Sequence, residues 1–365
     1  MAEEDWEGMA LEELRQKIDQ VDQDLVCLLN QRARLAHLIG QKKKEKNLLV
    51  YSPTREREIR ENIRRWRGKG PLSEEALWSI YREIISACRA LQHPLRLAFL
   101  GPRGTFTEIA ARQVFGSQVE FLPLETVEQV FEEVSKGNAQ VGVVPIENSV
   151  EGVERRTLDL LHHYCPPLSI QAETFVEIHH CFLVRDPKEE VRSIFSHPQA
   201  FAQCARWLAH HYPHAERIAA TSTARGAELA AQTPRSAAIG PALAAEIYGL
   251  SVLHQNIEDY PNNRTRFFII GPSEPSSATG QDKTSIILST QHRAGALCDA
   301  LSILKKHNLN MTMIESRPSR ETPWEYIFFI DFEGHIHDDH VRRAMEELRE
   351  QCRMVKILGS YPVSG

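Results

Sequence analysis

Residues 14–43 read LRQKIDQVDQDLVCLLNQRARLAHLIGQKK. Starting at Leu11, the apolar residues Leu14, Ile18, Val21, Leu25, Leu28, Leu35 and Ile39 recur at helical steps and form one face. The spacing predicts a helix of about 30 residues, roughly 45 Å long. A second helix is expected from Thr54, carrying Ile59, Ile63 and Trp66, and RGKGPLS (67–73) ends it. Ser73, followed by Glu74 and Glu75, is a start signal for a third helix with Leu77, Tyr81, Ile84 and Cys88. Three helices so unequal in length do not close a core alone, so two copies are expected to pair and share one. Residues 10–92 hold no credible strand.

The pattern changes at His93-Pro94, where LRLAFLG begins an alternation of strands and helices. Strands are predicted at 119–122, 141–144, 169–176, 179–184, 192–195, 216–220, 236–240 and 266–270, and helices at 125–136, 198–211, 222–232 and 241–247. The stretches 97–170 and 190–260 share a rhythm, which predicts two lobes with a cleft and a crossover through 169–184. GPSEPSSATGQD (271–282) reads as a linker. Beyond it, KTSIILSTQ, a helix through Lys306, NMTMIESRP, WEYIFFIDFEG, DDHVRRAMEELREQ and MVKILGSY follow the order βαββαβ. The expected division is 1–93 all-helical, 94–272 two-lobed α/β, 273–283 linker and 284–365 α+β of ferredoxin-like order.

Composition narrows the function. The chain has 365 residues with 43 Lys+Arg against 49 Asp+Glu, a net charge of -6, which argues against wholesale nucleic-acid binding. Seven scattered cysteines with no CxxC pair argue against a disulfide framework or a cysteine zinc site. The acidic start MAEEDWEGMALEEL is no secretory signal, and no run is long and apolar enough for a membrane span. A cytoplasmic protein is expected. GPRGTF lacks the spacing of a nucleotide fingerprint, and Ser149 in ENSVEG is not a GxSxG elbow. His179-His180-Cys181 and His210-His211-His214 read as solvated or packing residues, so no metal is expected.

Arg32 occupies a slot of the apolar stripe, Arg15 flanks it, and Lys43 falls four residues past Ile39. A cation there is unfavourable unless it snorkels to water or meets an anion. Spacing leaves both readings open. LRQKIDQVDQDLVCLLNQRARLAHLIGQKK, the pair Arg55-Glu56 and YREIISACRALQ (81–92) together resemble the all-helical chorismate mutase domain of the bifunctional phenylalanine-pathway enzymes. That resemblance implies a domain-swapped dimer whose sites collect arginines from both chains. By it, Arg15 comes from the partner and grips one substrate carboxylate, and Arg32 grips the other. Lys43 and Gln92 meet the ether oxygen, Arg55 supports, and Glu56 receives the substrate hydroxyl. Ser52 and Cys88 stand where that pattern commonly has aspartate and serine, and both are expected as secondary contacts.

Three loops adjoin strands in the α/β region: GPRGTFTE (101–108), PIENSVEG (145–152) and NNRTRFFIIG (262–271). SHPQAF (196–201) and TSTARGA (221–227) have a similar form. Each alone reads as helix capping, and together they predict a cleft at strand ends. GPRGTFTEIAA, VPIENSVEG, SHPQAFAQC and NNRTRFFIIG resemble the signatures of prephenate dehydratase. The likeness implies a fold like periplasmic binding proteins. It makes Thr265 the catalytic hydroxyl, Arg266 a group that binds or orders an anion, and Phe267 a packing residue. Thr105, Glu147, Asn148, Ser149, Ser222 and Thr223 are expected to line the cleft. Gly295-Ala296-Leu297 and Glu315-Ser316-Arg317-Pro318 resemble the two phenylalanine-binding signatures of ACT domains in the same enzymes. The whole is expected to be an enzyme without cofactor. It would act on chorismate and prephenate, respond to L-phenylalanine, and assemble as a homodimer or tetramer. The alternative is a non-enzymatic ligand-responsive regulator, with a binding-protein-like cleft and an ACT sensor.

Overall fold

The computed structural model describes residues 6, 8–46, 49, 51–92, 94–273, 277–319 and 326–363. Part of the expected linker (274–276), His93 at the change of pattern and Trp324 of the strand WEYIFFIDFEG lie outside them. The chain divides into two compact units. One takes in the described parts of Met1–Ser52, Ile63–Leu95 and Phe115–Val119, and the other Pro53–Asn62, Arg96–Val114 and Glu120–Gly365.

The helical region consists of α1 (Leu11–Glu45), α2 (Pro53–Arg67) and α3 (Glu74–Ala90). Ser73 caps α3 by accepting the Ala76 N–H at 3.1 Å, as its sequence predicts. At 35 residues, α1 is longer than the stripe alone required. Its only buried residues are Ala36 and Gly40. Leu11, Ile18 and Leu28 stay 65%, 60% and 61% exposed, so the apolar stripe has no cover among the described residues.

The first lobe of the α/β region runs β1 (Arg96–Leu100), α4 (Phe106–Phe115), β2 (Glu120–Leu124), α5 (Val127–Ser135), β3 (Val141–Asn148), β4 (Gly152–Val153), α6 (Arg155–Tyr164) and β5 (Leu168–Glu177). The chain then builds a second lobe from β6 (Cys181–Val184), β7 (Ser193–Ser196), α7 (Pro198–Gln203), α8 (Ala205–His211), β8 (Glu216–Ala219), α9 (Thr223–Gln232), β9 (Ser236–Gly240), α10 (Ala242–Tyr248) and β10 (Ser251–His254). It returns to the first lobe as β11 (Arg264–Pro272). The sheet orders are β2-β1-β3-β11-β5, with β4 on β3, and β10-β6-β9-β7-β8. β11 runs antiparallel between β3 and β5, so the last-arriving strand sits inside the first sheet.

The expected crossover at 169–184 is present, and a second crossing occupies 255–263. The pattern gave no sign of the two-residue β4 or of β10. The helix predicted over 198–211 is two helices parted at Cys204. The break has a long-range cause: the Asp259 carboxylate accepts the Arg206 and Trp207 N–H groups at 3.0 and 3.3 Å, opening a second helix.

The C-terminal sheet consists of β12 (Asp282–Ser289), β13 (Met311–Pro318), β14 (Tyr326–Glu333) and β15 (Met354–Pro362), with α11 (Ala296–Lys306) and α12 (Asp339–Gln351). It is antiparallel in the order β13-β14-β12-β15, and its connectivity is the predicted βαββαβ. One set of its side chains, including Ile286, Leu288 and Phe332, makes a core with Leu304 and Leu348 of its helices. The other set, Ile287, Ile327, Phe329, Leu358 and Tyr361, belongs to the same buried cluster as Val144, Ile146, Phe268 and Ile270 of the first lobe. The two domains therefore share a core. Gly359 makes the approach possible, since a Cβ there would fall 2.2 Å from the Ile170 carbonyl oxygen.

Candidate active and regulatory sites

In the helical region, α1 presents Arg15, Arg32 and Lys43. Arg32 and Lys43 are half-buried, while Arg15 is exposed and pairs with Glu12 at 3.4 Å. The Lys43 ammonium donates to the Leu49 carbonyl at 3.0 Å. Gln92 lies two residues past the end of α3 and against Gly40 of α1: a Cβ on Gly40 would fall 2.7 Å from the Gln92 Cβ. Gly40 is thus what lets the Gln92 segment seat on α1, three residues before Lys43. The Gln92 carboxamide oxygen is buried with no hydrogen-bond partner among the described residues. Such a group is unfavourable by about 1–3 kcal/mol unless something meets it. Cys88 is buried on α3 one turn before Gln92. Ser52 precedes α2 and is half-buried, as is Glu56 in its first turn. Arg55 ion-pairs with Glu58 at 2.7 Å.

In the two-lobed region, register brings Thr265 of β11 opposite Asn148 of β3. The Asn148 side chain is a hub. Its Oδ1 accepts the Val150 and Glu151 N–H groups at 3.0 and 3.2 Å. That fixes which end of the amide faces the other way. Nδ2 therefore donates to Thr265 Oγ1 at 2.8 Å and to Asn263 Oδ1 at 2.7 Å. A hydroxyl that accepts in this way keeps its own proton available for a further acceptor. Asn263 is a member the sequence reading missed. The signal was in NNRTRF, where it stands two residues before Thr265, the spacing of side chains on one strand face.

The other expected hydroxyls behave differently. Thr105 donates to the Leu100 carbonyl at 3.1 Å and accepts from the Glu108 N–H at 3.4 Å. Ser149 donates to the Asn262 carbonyl at 3.3 Å and accepts the Arg264 N–H at 2.9 Å. Ser222 caps α9 by accepting the Arg225 N–H at 3.0 Å. Thr105 and Ser222 tie their own loops, Ser149 ties its loop to the segment entering β11, and Thr223 begins the helix that Ser222 caps. Glu108, fully buried, binds Arg103 and Arg112 at 2.8 and 2.9 Å. Burial alone would raise its carboxyl, but bonds from Arg103, the Gly104 N–H and Arg112 outweigh that and hold it below the usual range. The loop it braces meets the second lobe, where the Tyr248 hydroxyl donates to the Arg103 carbonyl at 2.9 Å. His179 and His180 bond to Glu258 and Gln203, each at 2.8 Å.

Two expectations are corrected by strand alternation. Arg266 does not share the face of Thr265. Its guanidinium lies on the opposite face, 2.6 Å from Glu173 of β5, 2.7 Å from Asp331 of β14 and 3.2 Å from the Tyr361 hydroxyl. The anions it orders belong to the protein. Burial would lower its pKa, but Tyr361, Asp331 and Glu173 raise it instead and keep it charged. Glu147 pairs with Arg266 in register and alternates with Asn148, so it too is on the far face of β3. Phe267 returns to the Thr265 face and is 2% exposed.

In the C-terminal domain, Gly295, Ala296 and Leu297 line a cavity of about 230 Å³ with Thr290, Tyr326 and Phe328. Gly295 has φ +79°, a left-handed backbone that a glycine adopts without strain. Among the described residues that line this cavity none belongs to the second signature. Glu315, Ser316, Arg317 and Pro318 are on edge strand β13. Arg317 is instead bound to Asp159 of α6, at 2.9 and 3.1 Å.

Comparison with known proteins gives three consecutive matches to family profiles: chorismate mutase type II over residues 14–93, prephenate dehydratase over 97–275 and ACT domain over 284–350. A bifunctional chorismate mutase/prephenate dehydratase of Aquifex aeolicus is 42% identical over 356 residues, 96% of this chain and 98% of that one. One from Neisseria gonorrhoeae is 43% identical over 354 residues, 96% of each. The structure of a prephenate dehydratase from Arthrobacter aurescens in complex with L-Phe superposes with a TM-score of 0.68 at 36% identity, covering 73% of this chain and 90% of that one.

Proposed function

Because the chain belongs to the family of bifunctional chorismate mutase/prephenate dehydratases with an ACT domain, and carries both activities in phenylalanine biosynthesis, we propose how its residues divide that work. The mutase step is a rearrangement within one molecule and calls for no nucleophile, metal or cofactor. It is helped by holding a dianion in its folded form. Arg15 and Arg32 grip the two carboxylates through bidentate, permanently charged forks. Lys43 and Gln92 meet the charge that grows on the ether oxygen as the C–O bond breaks. Arg55, Glu56, Ser52 and Cys88 complete the surroundings.

The mutase site is built by two chains, with Arg15 crossing from the partner in a domain-swapped dimer. The observation that carries this is the exposed apolar stripe of α1 from Leu11 to Ile39, about eight helical turns that a second copy would bury. The test is complementation. Arg15→Ala and Arg32→Ala homodimers should each be nearly inactive as mutases. Mixed and allowed to exchange, they should regain about a quarter of the wild-type sites, because each heterodimer then holds one intact site. No recovery after demonstrated exchange would mean that each chain carries its own site.

In the dehydratase, prephenate binds between the lobes and the Thr265 hydroxyl donates to its leaving hydroxyl. Water and carbon dioxide depart as the ring becomes aromatic. Asn148 holds the threonine oxygen, Phe267 packs behind it, and Thr223 and the loops tied by Thr105, Ser149 and Ser222 shape the cleft. L-phenylalanine binds at Gly295, Ala296 and Leu297, with Glu315, Ser316 and Pro318 supplied by a second ACT domain, and inhibits the dehydratase. A purely regulatory protein, the alternative reading, would leave Lys43, Gln92 and Thr265 without a joint purpose. Among the described residues no helix is long and apolar enough to cross a membrane. A cytoplasmic homodimer that engages neither nucleic acid nor lipid is the reading in keeping with the charge balance.

A further inference from the structure

Asn263 has no role in the assignments above, yet it joins the reacting hydroxyl to the junction between lobes. Its Oδ1 accepts one N–H of Asn148 at 2.7 Å, and the other N–H goes to Thr265 Oγ1 at 2.8 Å. Its carbonyl accepts the Ile178 N–H at 2.8 Å. Ile178 follows β5 where the chain leaves the first lobe, and Asn263 precedes β11 where it returns. Asn263 is 3% exposed, so its amide oxygen has no water to fall back on. Without that acceptor, a buried N–H of Asn148 would be unsatisfied, and the side chain would swing away to find a partner. Thr265 Oγ1 would then lose its donor and be free to rotate. We propose that Asn263 is a positioning residue for the dehydratase: it locks the Asn148 amide, which holds Thr265 Oγ1 as an acceptor and leaves the threonine proton for the substrate. This rests on Thr265 being the group that serves the leaving hydroxyl.

The test uses the full chain. Asn263→Leu keeps the volume and removes the acceptor, and Asn263→Ser removes it without adding apolar surface. Both should lower kcat for prephenate about tenfold and leave KM within about threefold. Mutase activity serves as the folding control. In the Thr265→Ala background neither change should cost anything further, because the hydroxyl to be positioned is gone. Wild-type kcat in both single variants would overturn the proposal. So would losses that multiply with that of Thr265→Ala, since they would mark a merely structural role. If Thr265→Ala itself ran at the wild-type rate, the assignment of Thr265 would fall and the proposal with it.

An independent observation concerns regulation and rests on the phenylalanine reading of the ACT cavity. The Arg317–Asp159 pair is mostly buried, at 18% and 16% exposure, and ties edge strand β13 to helix α6. α6 is in turn fastened to β3. The Thr157 hydroxyl donates to the Pro145 carbonyl at 2.7 Å, and the Glu154 N–H to the Ile146 carbonyl at 2.8 Å, two residues from Asn148. We infer that this ion pair couples the ACT domain to the dehydratase site. Asp159→Asn should keep basal dehydratase activity within about twofold and still bind L-phenylalanine in calorimetry. The phenylalanine concentration for half inhibition should rise at least about tenfold, within the usual span of coupling energies. By reciprocity, prephenate should weaken phenylalanine binding in the wild type and not in the variant. Unchanged inhibition would overturn the inference. A wild-type chain that binds no phenylalanine would overturn the cavity's assignment and the inference together.

Discussion

Thr265→Ala is expected to lower dehydratase turnover by about 10²-fold or more, the range for loss of a positioned proton donor. Mutase turnover should stay within a few-fold. The size of the effect follows from the hydrogen-bond directions at Thr265. Asn148 can only donate to Oγ1, because its own oxygen is held by two backbone N–H groups. The threonine proton is therefore directed to whatever acceptor occupies the cleft, and alanine removes it without disturbing the strand. Thr265→Ser should retain much of the activity, because it keeps the hydroxyl. Prephenate turnover at saturation, measured beside mutase turnover on the same samples, checks both. Joint loss of the two activities would point to misfolding or to a misplaced site.

Lys43→Ala is expected to have the mirror effect. One donor to charge that develops only in the transition state is worth about 2.7–4 kcal/mol, or 10²- to 10³-fold in mutase kcat. Dehydratase turnover should be unaffected within a few-fold. The lysine is half-buried near the C-terminus of α1, where its ammonium caps the Leu49 carbonyl. It can therefore reach an oxygen without being fully desolvated. Steady-state mutase kinetics with chorismate read the result. A variant that loses affinity but not kcat would show Lys43 to be a binding group only.

Much of this architecture is legible in the residues. The stripe from Leu11 to Ile39 announces both a long helix and the absence of cover for it, because a seam of that length needs a second surface. The βαββαβ order at the C-terminus follows from period alone. Sequence position, by contrast, says nothing about which face of a strand is occupied by what. Arg266 stands beside Thr265 in the chain, and its resemblance-based role took no account of the sheet behind it. Alternation turns the guanidinium away, and the ACT sheet supplies Asp331 and Tyr361, 65 and 95 residues further along the chain, to receive it. Arg317 is redirected by the same packing, toward Asp159. Asn263 was within the quoted motif, but its value lies in a bond to Asn148, 115 residues away. The break at Cys204 likewise depends on Asp259, a partner that no local window contains.

One polypeptide carries the two reactions, on separate segments of its chain. The most direct measurement supplies the purified chain with chorismate alone, no metal or nucleotide added, and follows prephenate and phenylpyruvate together. Chorismate should disappear, prephenate should rise and then decline, and phenylpyruvate should accumulate. Thr265→Ala should stop the sequence at prephenate, and Lys43→Ala should nearly stop it at chorismate. Chorismate consumed no faster than without protein, or a single substitution that abolishes both conversions in a folded chain, would contradict it.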